Sequence, residues 1–316
     1  MSYQKLLMQM IGMALFLAGC TAPAATYTPP PTFPPPPLPT PTLIPPPPQL
    51  VQPTGQAGTC PENDTSPLGV IRSTDHGTTW TSLGNACMQN STVWAVDPTP
   101  LTINGTIVLY SVDFHHLDKA VLYRTTSGDG INFDTPQPVY THTNAIVDPF
   151  VLLMPDGSFR LYTTGQDGIF SAVSSDGLTF IREEGVRSRG GGMPGALLLP
   201  DNRVRLFLSG DGIMSFISSD GLSFTQESGM RIPAPPNTIV DNPEPIRLSD
   251  GSYLMLFSLH SKMYEGQLPW EHTEIRLAAS TDGLNWTVNP TVLGYGGTSC
   301  VVEVQDGTLF IYYVNQ

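Results

Sequence analysis

The segment SSDGLTF, residues 174–180, decides the fold because the chain repeats it almost unchanged as SSDGLSF, residues 218–224. Three looser copies are STDHGTTW at 73–80, SGDGINF at 127–133 and STDGLNW at 280–286. In each copy the Asp and Ser side chains can accept backbone N–H bonds and the Gly supplies a left-handed conformation, which predicts a tight turn between two strands. Five copies, roughly 45 to 60 residues apart, have the spacing of propeller blades.

A second series of turns also has five members, each followed by a run of alternating apolar residues. These turns are Asn104-Gly105, Asp156-Gly157, Asp201-Asn202, Asp250-Gly251 and Asp306-Gly307. Dipeptides of this kind between strands are strong hairpin signals. Both series together predict an all-β fold, a five-bladed β-propeller with four-stranded antiparallel blades.

The two series are offset at the ends of the chain. The first SxDG-type copy has no inner hairpin before it, and Asp306-Gly307 has no such copy after it. We therefore expect the last two strands, about 300–314, to join the first two, about 70–82, in one composite blade. This arrangement closes the ring and removes exposed sheet edges.

The head of the chain predicts an export signal. Lys5 precedes an apolar run at 6–17, which ends in Leu17-Ala18-Gly19-Cys20. This sequence resembles the bacterial lipobox, which implies cleavage before Cys20 and lipidation of its thiol. A secretory signal cut near residues 22–25 and an uncleaved anchor are the alternatives. The predicted organisation is a signal peptide at 1–20, a Pro/Thr-rich stalk at 21–58 and a propeller at 59–316, held by lipid on the extracytoplasmic side of a bacterial membrane.

The amino-acid composition limits the classes of partner that the protein is expected to bind. Only 13% of residues are charged and the net charge is -13, which argues against nucleic acid as a partner. We expect a monomer that tolerates or binds carbohydrate. The sequence predicts no cofactor. A structural cation such as Ca²⁺ in the channel is left as an open alternative.

The cysteines other than Cys20 leave two pairings open. Cys60 and Cys87 flank the N-terminal hairpin, and a disulfide between them would staple the closing blade in an oxidising compartment. Cys300 begins an innermost strand and is either the true partner of one of them or a free buried thiol. The spacing of Cys and His matches no metal site.

Function in a propeller is expected at the channel mouth, where the innermost strands begin. Aligned on their inner turns, these strands begin AVDPTPLTI, AIVDPFVLL, GMPGALLL, VDNPEPIRL and TSCVVEV. The carboxylates that this alignment places at the mouth are Asp97, Asp148, Asp241 and Glu244.

Two Asp-Pro starts on successive blades resemble the arabinanase, levansucrase and invertase group of five-bladed glycosidases. The resemblance implies that Asp97 is the general base or nucleophile, that Asp148 tunes pKa and positions substrate, and that Glu244 is the acid. In that group the acid lies on the third blade, where this chain has Met193-Pro194-Gly195. Glu244 on the fourth blade can still face Asp97, unless its offset from the Asp-Pro frame turns it out of the channel. In the alternative interpretation, each Asp only caps the entry to a strand.

Other residues are weaker candidates for binding substrate at the same rim. They are Asp113, His142, Asp241, His260, Tyr264 and Trp270, with His115 and His116 also near the mouth.

The first repeat copy resembles the Asp box of sialidases, which implies a structural role for Asp75, Asp129, Asp176, Asp220 and Asp282. The string Arg231-Ile232-Pro233 is similar to a sialidase motif, but it lies between the third and fourth blades instead of at the start of the domain. The sequence therefore predicts a surface glycosidase or, alternatively, a noncatalytic glycan- or protein-binding propeller, and favours both over an exo-sialidase.

Overall fold

The computed structural model describes residues 49–51, 60, 68–113, 121–141, 147–265 and 270–315. In chain order the strands are β1 (Gln49–Val51), β2 (Leu68–Ser73), β3 (Thr79–Asn85), β4 (Cys87–Met88), β5 (Ala95–Ile103), β6 (Thr106–Asp113), β7 (Val121–Ser127), β8 (Asn132–Phe133), β9 (Gln137–Thr141), β10 (Val147–Leu153), β11 (Phe159–Gly165), β12 (Gly168–Ser174), β13 (Ile181–Arg182), β14 (Gly192–Leu198), β15 (Val204–Ser209), β16 (Gly212–Ser218), β17 (Thr225–Gln226), β18 (Ile232–Pro233), β19 (Thr238–Arg247), β20 (Tyr253–Ser261), β21 (Glu274–Ser280), β22 (Thr287–Val288), β23 (Gly294–Tyr295), β24 (Gly297–Glu303) and β25 (Leu309–Val314). Two 3₁₀ turns, Lys262–Tyr264 and Trp270–His272, lie between β20 and β21.

These strands form five blades, which confirms the predicted all-β, five-bladed propeller. From the channel outward, blade one is β5-β6-β7-β9, blade two is β10-β11-β12-β13, blade three is β14-β15-β16-β17 and blade four is β19-β20-β21-β22. β18 and β23 add short outer pairings to β16 and β21. The innermost strands pack in a ring in the order β5, β10, β14, β19, β24 and back to β5.

The fifth blade is built from both ends of the described chain, in the order β24-β25-β2-β3 with β1 parallel to β3. β2 pairs with β25 from Leu68 opposite Val314 to Ser73 opposite Leu309. Cys60 and Cys87 form a disulfide, and Cys300 is a free, buried thiol. Because β4 pairs in parallel with β8, the disulfide ties the N-terminal segment to blade one.

The repeated SxDG turn joins the third and fourth strands of every blade, at the end opposite the start of the innermost strands. In blade two, Ser174 Oγ accepts the Gly177 N–H at 2.9 Å. Asp176 Oδ1 accepts the N–H groups of Leu178 and Thr179 at 2.8 and 3.1 Å. The same pattern of Ser and Asp acceptors holds the turn in the other four copies.

This turn also docks neighbouring blades. Tyr110, on the second strand of blade one, donates its hydroxyl to the Gly177 carbonyl of blade two at 3.0 Å. The same bond joins Tyr162 to Gly221 at 2.9 Å, and Tyr312 to Gly130 at 2.9 Å. Gly177 has a φ of 71°, and an added Cβ would lie 2.6 Å from the Tyr110 hydroxyl. Glycine is therefore required here both for conformation and for space.

The hydrophobic core lies between the blade faces instead of at the channel. One cluster joins the closing blade, blade one and blade two, and three smaller clusters continue around the ring. Trp80 and Phe133, the aromatic ends of two repeat turns, are fully buried. Burial of such side chains stabilises the fold by about 1.5 to 3 kcal/mol each. Within the described residues no helix is both long and apolar enough to cross a membrane.

Candidate active site

A ring of five equivalent residues surrounds the mouth of the channel. Each innermost strand begins with a β-bulge whose first residue has a left-handed backbone. These ring residues and their φ angles are Asp97 (50°), Asp148 (51°), Met193 (50°), Asn242 (53°) and Thr298 (39°). Proline follows the first four and Ser299 follows the fifth. Since the conformation recurs in all five blades, it belongs to the fold, and the side chains alone distinguish one ring position from another.

This register corrects the sequence alignment of blade four. The alignment placed Asp241 at the mouth, but the bulge between Asp241 and Glu244 makes Asn242 the ring residue. Glu244 lies two residues further, at the position equivalent to Thr99, Phe150, Gly195 and Cys300 on the other blades. Cys300 is therefore the counterpart of Glu244 on the adjacent closing blade.

Hydroxyl groups of second strands accept the ring N–H groups of blades three and four. Thr164 Oγ1, in β11, accepts the Met193 N–H at 3.1 Å. Ser209 Oγ, in β15, accepts the Asn242 N–H at 3.1 Å. In both cases the acceptor comes from the preceding blade, so these bonds also join neighbouring blades.

Two blades lack this hydroxyl, because the equivalent second-strand residues are Val112 and Val314. There the ring side chain of the preceding blade is the acceptor instead. Asp97 Oδ2 accepts the Asp148 N–H at 3.2 Å, and Thr298 Oγ1 accepts the Asp97 N–H at 3.3 Å. Asp97 therefore has a structural contact of the kind that the strand-capping interpretation describes, and it uses only one of its two oxygens.

Asp97 and Asp148 are buried acids with unused oxygens. Their exposed fractions are 5% and 6%, and the Oδ1 atom of each has no hydrogen-bond partner among the described residues. Burial raises the pKa of Asp97 to about 6, against the opposing hydrogen bonds from Asp148 and Thr298. Burial, together with the charge of Asp97 and then that of Asp241, raises the pKa of Asp148 well above its ordinary value. Two desolvated carboxyl groups this close repel when both are ionised, which favours at least one neutral form.

Glu244 lies within electrostatic range of both aspartates. Burial, and then repulsion from Asp97 and Asp148, raises its pKa well above the ordinary value. Glu244 is nevertheless half-buried, whereas the two aspartates are buried. Glu244 on blade four therefore lies close enough to the acids of blades one and two to interact with them electrostatically.

Blade three has no room for an acid at the position equivalent to Glu244. A Cβ added to Gly195 would lie 2.0 Å from the Pro243 carbonyl oxygen and 2.6 Å from Pro245 Cδ. The two innermost strands thus approach too closely there for any side chain. This explains in steric terms why the chain departs from the third-blade acid that the family resemblance implies.

Asp241 and His260 form a pair on blade four. His260 Nε2 lies 3.3 Å from Asp241 Oδ2, and both side chains are largely buried. Burial alone would lower the pKa of His260, but the hydrogen bond and charge of Asp241 raise it overall. Asp241 also contributes to the repulsion that Asp148 experiences, so this pair is electrostatically linked to the acid cluster.

Two further predicted binding residues, Asp113 and Tyr264, make contacts with residues outside the acid cluster. Asp113 is buried and accepts the Trp94 N–H at 3.1 Å, where it fixes the approach to β5. Tyr264 stacks on His272 with ring centroids 4.9 Å apart. Trp270 begins the second 3₁₀ turn. His142, His115, His116 and Cys20 lie outside the described residues.

Two ring residues, Asn242 and Thr298, are not among the residues that the sequence predicts for the site. The X-Pro dipeptide that starts each of the first four innermost strands would have identified Asn242, because Asn242-Pro243 matches Asp97-Pro98 better than Asp241 does. Thr298 has no such dipeptide, so it can be identified as a ring residue only once the composite blade is known to close the ring. Among the described residues, no group of three or more His, Cys, Asp or Glu is arranged to hold a metal ion.

Comparison with known proteins finds likeness in structure and not in sequence. No protein-family model matches the chain, and no curated protein matches it. A thermostable family-43 glycoside hydrolase superposes with a TM-score of 0.51 at 14% identity, over 69% of this chain and 83% of the other. The endo-arabinase of Bacteroides thetaiotaomicron gives 0.51 at 17% identity, over 70% and 89%. The GH32 β-fructofuranosidase BmSUC1 of Bombyx mori gives 0.55 at 16% identity, over 71% and 56%. In fold, the chain is similar to the propellers of these glycoside hydrolases.

Proposed function

We propose that the chain is a glycoside hydrolase whose active site is the acidic mouth of the propeller channel. The observation that carries this proposal is the convergence of Asp97, Asp148 and Glu244 from three blades, with desolvation raising the pKa of each. Cleavage of a glycosidic bond needs one carboxyl group that holds a proton and another that is ionised. A buried cluster of three acids supplies both forms near neutral pH.

The environments of the three acids suggest their roles. Glu244 is the general acid, since burial and repulsion from Asp97 and Asp148 favour its protonated form and it is the most exposed of the three acids. Asp97, with the lower pKa of about 6, ionises more readily and acts as general base or nucleophile. Burial and the charge of Asp97 favour the neutral form of Asp148, which tunes the charge of Asp97 while it positions the sugar.

The substrate class is a neutral glycan built from pentose or fructose units. The similar solved structures include an endo-arabinase, an endo-1,4-beta-xylanase and a β-fructofuranosidase. A sialidase is less well supported, because Arg231 donates to the Leu284 and Gly229 carbonyls in an outer turn and is not at the mouth. An anionic sugar would also be repelled by the acid cluster.

The test compares wild type with Asp97→Asn and Glu244→Gln on arabinan, xylan, sucrose and aryl arabinofuranosides and xylosides. We expect both variants to lose about 10²- to 10⁴-fold in kcat/KM. Glu244→Gln should lose least on aryl glycosides with acidic phenols, because such leaving groups need no proton. Asp176→Asn, which makes the same chemical change in a distant repeat turn, should keep wild-type kcat/KM.

A noncatalytic glycan-binding propeller is the second candidate. It is favoured by the low exposure of Asp97 and Asp148, 5% and 6%, which restricts direct access to substrate. Calorimetric titration with arabinan and xylan oligosaccharides separates the two functions. If wild type binds these oligosaccharides saturably but hydrolyses none of the substrates in the panel above, the protein is a glycan-binding propeller and the enzymatic proposal is wrong.

We further propose that the propeller is displayed outside the cytoplasm on a lipid anchor at Cys20 and a Pro/Thr-rich stalk at 21–58. The Cys60–Cys87 disulfide supports an oxidising compartment. In a bacterial host, the wild-type precursor should partition into the detergent phase and incorporate labelled fatty acid. Cys20→Ser should do neither, and equal labelling of both proteins would contradict the anchor.

A further inference from the structure

Met193, the ring residue of blade three, is the one apolar member of the ring, since the other positions carry Asp97, Asp148, Asn242 and Thr298. Its φ of 50° is a left-handed conformation that Asp, Asn and Gly adopt with less strain than a long apolar residue does. Blades one, two and four use Asp or Asn here. The fold alone therefore does not account for the Met193 side chain, which lies half-buried at the mouth.

The chain that leads into Met193 carries no side chains. Gly190, Gly191 and Gly192 precede it, and of these only Gly191 has a left-handed φ, 81°. A Cβ added to Gly190 would meet nothing within 4 Å, and one added to Gly192 would meet only the Thr164 side chain, at 4.0 Å. Neither conformation nor packing requires glycine at these two positions. Open space is thus kept beside Met193, at the start of β14.

The neighbouring blades give this space its shape. On blade two, β11 and β12 are joined by only two residues, 166–167. On blade four, β19 begins four residues before its ring residue Asn242, and Thr238 there pairs with Ser261 of β20. The inner hairpin of blade four therefore projects past the ring and forms a wall beside blade three. We call the space at Gly190–Met193 the blade-three notch.

Asp148 supplies a polar group to the blade-three notch. Ring side chains reach toward the next blade, since Thr298 Oγ1 accepts the Asp97 N–H and Asp97 Oδ2 accepts the Asp148 N–H. In the same register the Asp148 carboxyl group is directed toward Met193, whose own N–H is bonded to Thr164 Oγ1. Asp148 is 6% exposed, and its Oδ1 has no hydrogen-bond partner among the described residues. A buried acceptor of this kind calls for a donor.

An apolar surface beside a hydroxyl acceptor matches the two chemical characters of a sugar ring. The C–H face of the ring would contact the adaptable thioether of Met193, and a ring hydroxyl would donate to Asp148 Oδ1. We propose that the blade-three notch is a subsite for the sugar unit next to the one held by Asp97, Asp148 and Glu244. This inference rests on the proposed function for the class of ligand, a neutral glycan chain, but binding can be measured without turnover.

The test fills the notch or removes its apolar surface in the full chain. Gly190→Leu and Gly192→Leu each place a side chain in open space, and Met193→Ala removes the thioether. Gly128→Leu is the matched control, because it makes the same change at a glycine that also has open space but lies in a repeat turn at the opposite end of blade one. Calorimetric titration measures the Kd of each protein for arabinose and xylose and for their linear trisaccharides. Guanidinium unfolding checks that each variant is folded, and the two separate glycine positions guard against the loss of one variant.

We expect wild type to bind one of the trisaccharides roughly tenfold more tightly than its monosaccharide, because only the longer chain reaches both the acids and the notch. Gly190→Leu and Gly192→Leu should abolish this tenfold gain, and Met193→Ala should reduce it by about fivefold, the loss of one apolar contact. Gly128→Leu should keep the wild-type gain. An unaltered gain in the folded notch variants, an equal loss in Gly128→Leu, or the absence of any gain in wild type would overturn the inference.

The outcome separates this inference from the proposed function. If wild type hydrolyses no glycan but the notch variants lose the gain in affinity, the enzyme proposal fails and the subsite stands. If wild type hydrolyses a glycan and the notch variants keep the gain, the enzyme stands without this subsite.

Discussion

Replacing Asp97 with Asn should stabilise the folded protein at neutral pH while removing the proposed activity. Burial raises the pKa of Asp97 from 3.8 to about 6, so the folded state ionises this group less readily than the unfolded chain does. A difference of about two pKa units corresponds to about 3 kcal/mol of destabilisation at pH 7.5. Asn cannot ionise, and its carbonyl oxygen can still accept the Asp148 N–H.

The expected net gain is about 2 kcal/mol, because the new amide group replaces the unpartnered Oδ1 and brings its own cost of about 1 kcal/mol. The gain must depend on pH in a particular direction. A carboxyl group with a raised folded-state pKa binds its proton more tightly in the folded state between about pH 4 and 6, so wild-type stability falls as pH rises through that window. The advantage of Asn should therefore be complete at pH 7.5 and absent at pH 4.

Guanidinium unfolding curves, followed by tryptophan fluorescence at pH 4.0 and 7.5, measure this difference through the free energy of unfolding. Asp282→Asn is the control with the opposite sign. Burial acts to raise the Asp282 pKa, but the N–H groups of Asn285 and Leu284 lower it overall to about 2, so its charge is favoured by the fold. A loss of stability in Asp97→Asn at pH 7.5, or a gain that persists at pH 4, would refute the assignment of Asp97 as a strained, functional acid.

Three further predictions concern the scaffold and are all measured by chemical denaturation. Tyr162→Phe should lose about 1 kcal/mol by leaving the Gly221 carbonyl without its hydroxyl donor; no loss would contradict the docking role of the repeat turn. Reduction of the disulfide, which spans 27 positions, should cost about 3.5 kcal/mol, checked against the oxidised protein at equal pH. Gly195→Ala should lose roughly 2 to 3 kcal/mol because its Cβ meets the backbone of Pro243. Gly128→Ala, which has open space, should change little.

The blade count was readable from the sequence because the repeat turn is held by local bonds. Ser174 and Asp176 bind N–H groups only two or three residues away, so the same short motif recurs wherever that turn is needed. The offset between the two turn series likewise follows from strand order alone. Consequently the composite blade could be predicted without knowledge of any contact between distant residues.

The register at the mouth was only partly readable. Asp97 and Asp148 were found because Asp-Pro marks two of the bulges, but on blade four the acidic Asp241 drew the alignment one residue away from Asn242. The Asn242-Pro243 dipeptide carried the signal for the correct register, and the pairing of β19 with β20 confirms it.

The hydroxyl network around the ring was not readable at all. Thr164 and Ser209 accept N–H groups from the next blade, and their partners lie 29 and 33 positions away. Nothing in the local pattern distinguishes them from the valines that take their place in other blades. The contacts that Asp97 makes with Asp148 and Thr298 therefore emerge only when the blades are assembled.

The composite blade has a consequence for how the protein folds during translation. During translation, β2 and β3 leave the ribosome long before β25, the strand to which β2 is hydrogen-bonded. Blades one to four can fold as they emerge, but the fifth must wait for the last strands of the chain. Until then β2 presents an unpaired edge on which a second nascent chain could dock.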